Sequence, residues 1–188
     1  MIARRVVAGA MAAATAVVVA GPWRTGRPTS PPPERPAGRV VVRRARALVD
    51  VRPGALGYRL RVAGPRAGVL AETDTVTRTI TLHVGAAAVP HLVAHDLAHE
   101  LGHAFDERRL TPDARAAYLR ARGAARARWW PTSDTADYRT GAGDFAEVFA
   151  LCHAASPEFR SRLAGRPRDA CAALPRAARG PLSPGGSR

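Results

Sequence analysis

AHDLAHELGHAFDERR, residues Ala94 to Arg109, sets His95, His99 and His103 at intervals of four, and His91 extends the row backwards. Val93, Leu97, Leu101 and the pair Ala104/Phe105 recur at helical spacing and form an apolar stripe. At 3.6 residues per turn the histidines lie about 200° round the helix from that stripe. The segment is expected to be a helix with one face in the core and a row of imidazoles on the opposite face.

Within the row, His99-Glu100-Leu101-Gly102-His103 reads H-E-x-x-H. Residues four apart on a helix stack on one face, close enough for two imidazoles to share one metal ion. Glu100 then sits beside the ion, where it can take a proton from an attacking water and pass it to a leaving amine. Two imidazoles, a carboxylate still to be found and no redox requirement point to Zn2+ as the cofactor. The overlapping window His95-Asp96-Leu97-Ala98-His99 has the same histidine spacing, but its shorter acid would need a shifted water. His91 and His95 are read as rim or supporting residues. The competing interpretation of the whole row is a solvated polar helix face.

A third protein ligand must come from elsewhere. The continuation HExxHxxGxxH would place glycine at 106 and histidine at 109, where this chain has Asp106 and Arg109. A carboxylate on a later helix is the other common solution. Glu147, 44 residues past His103, lies on a segment read as helical, with Asp144 three residues before it on the same face. Glu147 is expected as the ligand, with Asp144 as its supporter or alternative. Asp106, one turn after His103, could orient that imidazole. Tyr138, in the loop before the carboxylate helix, could donate to a developing oxyanion or serve only in packing. Trp129 and Trp130 are read as packing residues.

The chain has 188 residues, is 46% hydrophobic and carries a net charge of +14. One modest domain fits that length. The basic residues are all arginine, and Lys, Asn and Gln do not occur. The arginines run from Arg4 to Arg188 without gathering on one periodic segment, so specific nucleic-acid binding is not expected. Residues 1–21 read as an export signal or N-terminal anchor: Arg4 and Arg5 precede an apolar run ending in Val18-Val19-Ala20. Residues 22–38 are a proline-rich linker, 39–175 the folded domain and 176–188 a disordered tail. The protein is therefore expected to be secreted or extracytoplasmic, touching a membrane only through an uncleaved anchor, and monomeric. Cys152 and Cys171 could pair in that compartment.

Along the domain, Arg39 to Val51 is rich in β-branched residues. Tyr58 to Val62 alternates apolar and charged residues as a half-buried strand does, and Val69 to Glu72 is a second short strand. Thr75 to Val84, TVTRTITLHV, alternates through ten residues and is expected at a sheet edge. Thr111-Pro112 opens a helix running to about Arg122. Residues 129–140 are irregular, Gly143 to Glu147 begins another helix, and Ser156-Pro157-Glu158 is expected to cap a short one.

HELGHAFD followed by Tyr138 and GDFAEVFALC resembles the gluzincin group of HExxH zinc metallopeptidases, in particular the family of the anthrax lethal factor catalytic domain and related secreted bacterial peptidases. The resemblance covers about Val89 to Cys152. It implies an α+β zincin-like domain, with a small N-terminal sheet packed on the active-site helix and a helical C-terminal part. It implies zinc held by His99, His103 and a downstream acid, Glu100 as base, Tyr138 assisting, and extended protein or peptide substrate bound along an edge strand, for which Thr75 to Val84 is the candidate. One departure stands out: the family's ligand glutamate falls at Gly143, which cannot bind a metal. Either Glu147 or Asp144 replaces it, or the protein is an exported metal-binding or cationic surface-binding protein with a degenerate site.

Overall fold

The computed structural model describes residues 36–154 and 157–180. The export signal, most of the proline-rich linker, and residues 181–188 of the expected tail lie outside the described residues. No described helix is long and apolar enough to cross a membrane.

The fold is α+β. Helix α1 (Pro36–Ala47) is followed by a 3-10 turn at Pro53–Leu56 and strands β1 (Arg59–Ala63), β2 (Ala71–Asp74) and β3 (Thr79–His83). Helices α2 (Pro90–Arg109), α3 (Pro112–Ala121), α4 (Gly141–His153) and the single turn α5 (Ala170–Ala173) come after the sheet. The linker expected to reach residue 38 therefore gives way to helix at Pro36. The β-branched run Val40-Val41-Val42 is helical too: Val42 and Ala45 are buried, and the helix packs on α2. Tertiary burial of one face outweighs the weak strand preference of valine.

Strand order is β1-β3-β2, with β1 parallel and β2 antiparallel to β3. The long alternating stretch at Thr75 to Val84 is thus not an edge strand. Its strand part is the central one, and residues 75–78 are the turn that joins it to β2. Asp74 Oδ1 accepts from the backbone N–H groups of Val76 and Thr77, both at 2.9 Å, which bends the chain before a strand can start. Central position explains the burial of Ile80 through His83 on both faces. The exposed edge beside α2 is β2.

Helix α2 lies between the sheet and α4, with α1 on another flank. From Val93 to Asp106 only Asp96 escapes full burial, so His95, His99 and His103 do not form a solvated face. Gly102 permits this: a Cβ there would stand 2.7 Å from the Cα of Ala146 on α4. The apolar stripe meets Phe145 and Phe149, whose rings stack around Phe105. Thr111 caps α3 by accepting from the Ala114 N–H, and Thr140 caps α4 by accepting from the Gly143 N–H.

Two C-terminal expectations change. Residues 157–161 are not helical. Arg176–Ala178 is an ordered 3-10 turn, with Ala178 buried and its carbonyl bonded to His153 Nε2 at 2.8 Å. Cys152 and Cys171 form a disulfide that fastens this C-terminal segment to α4.

Candidate metal centre

His99 and His103 project from successive turns of α2 into a pocket closed by the 3-10 turn Asp137–Arg139. Their Nε2 atoms are 3.1 Å apart. Asp137 Oδ2 lies 3.2 Å from His99 Nε2 and 3.4 Å from His103 Nε2. All three side chains are buried, and together they form a group that could hold a metal ion.

The triangle has the right size for that task. A tetrahedron's edge is about 1.6 times its centre-to-corner distance, so bonds of about 2.0–2.1 Å need donors about 3.3–3.4 Å apart. The tautomers agree. His99 Nδ1–H donates to Glu147 Oε1 at 2.8 Å, which leaves Nε2 as a bare lone pair facing a second ring nitrogen and a carboxylate. His99 Nε2, His103 Nε2 and Asp137 Oδ2 lie so close together that a cation or protons must stand between them. Burial alone would push both imidazoles down, yet the Asp137 and Glu147 carboxylates hold His99 well above its ordinary range and Asp137 raises His103. Burial works against ionising Asp137, but the His103 and His99 rings hold its carboxyl far below the usual range.

Sequence reasoning did not single out Asp137. Its segment, Asp134-Thr135-Ala136-Asp137, carries no periodicity, and the donor arrives from a turn whose register only tertiary packing fixes. The Thr140 side chain, besides capping α4, donates to the Asp137 carbonyl at 2.8 Å and ties that turn to the helix.

Glu147 is near the histidines in another role. Oε1 lies on the Nδ1 side of the His99 ring, away from Nε2, and also 3.1 Å from His95 Nε2, while Oε2 accepts from the backbone N–H of Arg160. It is wholly buried, and although burial opposes ionisation the two imidazoles keep its carboxyl far below the usual range. Glu147 thus orients His99 and anchors the 157–164 segment; it is not one of the three converging donors. His95 supports Glu147, while His91 is exposed at the first turn of α2.

Asp144 points away from the pair. Its oxygens take bonds from Tyr118 at 2.7 Å and from Arg122 at 2.8 and 3.1 Å, tying α4 to α3. Asp106 likewise serves packing, accepting from Arg115 Nε and Trp129 Nε1, both at 2.7 Å. His103 Nδ1 has no partner among the described residues, so Asp106 does not orient that ring. Asp96 of the overlapping window is paired with Arg160 at 2.6 Å.

Glu100 is fixed from the sheet edge. Thr73 of β2 donates to Glu100 Oε2 at 2.6 Å, and burial pushes the carboxyl above its ordinary range. Thr73 is a second residue that the sequence did not offer, since nothing in AETD marks one threonine out. A cleft of about 220 Å3 opens at this point, lined by Leu70, Ala71, His99, Glu100, Tyr138 and Arg160. The Tyr138 ring is 5.4 Å from that of His99 and its side chain also bears on Arg160. The arrangement can therefore place a small ligand or a chain segment against Glu100, Tyr138 and the part of His99 that lines the cleft. Comparisons with protein-family models, with curated proteins and with solved structures returned no match.

Proposed function

We propose that the protein is a zinc-dependent metallopeptidase acting on a protein or peptide substrate outside the cytoplasm. The observation that carries this reading is the triangle of His99 Nε2, His103 Nε2 and Asp137 Oδ2 with the Glu100 carboxylate beside it, in a cleft open to a substrate. Two imidazoles and a carboxylate at tetrahedral spacing suit zinc better than the harder divalent cations, which prefer oxygen. Bound there, zinc would supply Lewis acidity toward a carbonyl oxygen and toward water.

The chain's own residues account for the remaining work. Glu147 fixes the His99 tautomer and so keeps Nε2 free. Thr73 holds one oxygen of Glu100, which leaves the other to accept a proton from water and return it to the amine of the broken bond. Tyr138 stands on the cleft wall, where its hydroxyl can donate to the oxygen of a tetrahedral intermediate. The backbone of β2, a sheet edge unpaired among the described residues and reaching the cleft at Ala71, offers an extended chain a strand to pair with. In this reading β2 takes the part that the sequence suggested for Thr75 to Val84.

The resemblance to gluzincin peptidases supports the same reading, with the third ligand moved. The absence of an acid at 143 suggested a degenerate site; Asp137, an acid from the preceding turn beside both histidines, supports the active reading instead. The test is a zinc titration of the full chain alongside digestion of casein and a peptide library. One zinc per chain with hydrolysis is expected, and Glu100→Gln should keep the metal and lose at least about a hundredfold in rate. Zinc binding without cleavage, unaltered by Glu100→Gln, would instead mark a metal-binding protein.

A further inference from the structure

On the other side of α2 a second concavity of about 350 Å3 is lined by Arg43 and Arg46 of α1, Arg52 of the following loop, and the apolar side chains Val51 and Leu97. Leu97 belongs to the apolar stripe of α2, opposite the histidines, so this site is separate from the candidate metal centre. Arg43 and Arg46 are three residues apart and share a helix face.

The three guanidinium groups differ from those around the metal centre. Arg115, Arg122 and Arg160 each pair with an aspartate: Asp106, Asp144 and Asp96. Arg43, Arg46 and Arg52 are exposed and make no ion pair among the described residues. The one acid on the pocket wall, Asp50, is engaged by the buried His153 through Nδ1 at 2.7 Å. Three like charges thus surround one cavity with one partly committed counter-charge. A concave low-dielectric wall focuses such a field and raises the local concentration of anions.

We propose that this pocket binds a phosphate-bearing anion, with the phosphate held by Arg43, Arg46 and Arg52 and the adjoining organic part resting on Ala47. A carboxylate would satisfy one fork-shaped guanidinium, whereas a phosphate presents enough oxygens and charge for several. The volume falls within the ordinary range of ligand pockets, about 300–1,000 Å3, and exceeds the need of a bare ion. Exposed Ala47, beside buried Val51 and Leu97, gives the wall an apolar patch for a carbon skeleton to cover. The same chemistry is offered by a soluble phosphomonoester and by a phospholipid headgroup.

The experiment uses the full chain and three probes: inorganic phosphate, glycerol phosphate, and vesicles of phosphatidylglycerol set against phosphatidylcholine. Calorimetry and vesicle sedimentation are run on the native protein, on Arg43→Gln/Arg46→Gln/Arg52→Gln, and on a control of equal charge loss, Arg108→Gln/Arg109→Gln/Arg120→Gln. All six arginines are exposed, so both variants should keep the native circular dichroism. Saturable binding of at least one probe is expected, weakened about tenfold or more in the pocket variant and less than about threefold in the control. Glycerol phosphate binding would assign a soluble ligand; a response confined to phosphatidylglycerol vesicles would assign a headgroup. Equal weakening in both variants, or no saturable binding of any probe, overturns the proposal.

Discussion

Gly143 and Asp137 occupy the same space: a Cβ added at Gly143 would overlap the Asp137 carbonyl and come within 2.6 Å of Asp137 Oδ2. The absence of a side chain on the first turn of α4 is therefore what admits a carboxylate from the turn before it. The position where the gluzincin resemblance expects an acid is empty because a neighbouring acid fills it.

Any side chain at 143 should push that turn outward. Gly143→Ala is expected to cost about 1–3 kcal/mol in folding stability, as overpacking does. It should also weaken zinc binding by tenfold or more, because Asp137 Oδ2 is displaced from both Nε2 atoms. Thermal unfolding with and without zinc measures both. A variant that binds zinc as the native protein does would mean that Asp137 is not a ligand.

The two acids near His99 should separate by magnitude. Asp137→Ala removes one of three converging donors and should abolish stoichiometric zinc binding at micromolar concentrations. Glu147→Gln leaves the donors in place and loosens only the ring behind them, a change of about 10–100-fold in affinity. Equilibrium dialysis of the two variants against a competing chelator gives the order. The reverse order would restore Glu147 as the ligand.

How far the sequence foretold this site depends on which element carries each residue. His99, His103 and Glu100 lie within five residues of one helix, so their convergence follows from helical geometry alone. Glu147 was legible as an acid on a later helix, yet which atom it faces depends on how α4 crosses α2, and that crossing is set by Gly102 against Ala146. Asp137 and Thr73 come from a turn and a four-residue strand, where no period marks a functional side chain. The strand order was misread for a related reason. Threonine-rich alternation from 75 to 84 looks like an exposed edge, but Thr81 is buried and residues 75–78 of the stretch are turn.

Thr73 supplies a prediction about pH. Its hydrogen bond favours the charged form of Glu100 and so opposes the upward push of burial. Thr73→Val removes the bond, so the Glu100 carboxyl must move further up. A base is inactive when protonated, so the acid limb of kcat/KM should shift to higher pH, with the rate near neutrality down about tenfold. Zinc content should be unchanged. An acid limb that stays in place would show that Glu100 is not the group titrating there.

The disulfide gives the last prediction. Cys152 lies near the end of α4 and Cys171 near the start of α5, at a sequence separation of 19, and the loop they close includes Arg160, whose backbone N–H holds Glu147. A loop of that length contributes about 3 kcal/mol by restricting the unfolded chain. Reduction, or Cys152→Ser/Cys171→Ser, should therefore lower Tm by on the order of 10 °C. Neither the metal donors nor Glu147 are on the closed loop, but the Arg160 N–H that holds Glu147 is. Zinc affinity should accordingly fall by only a few-fold, far less than for Asp137→Ala. If reduction left Tm unchanged while abolishing zinc binding, the bond would be part of the metal site and not a tether for the segment behind it.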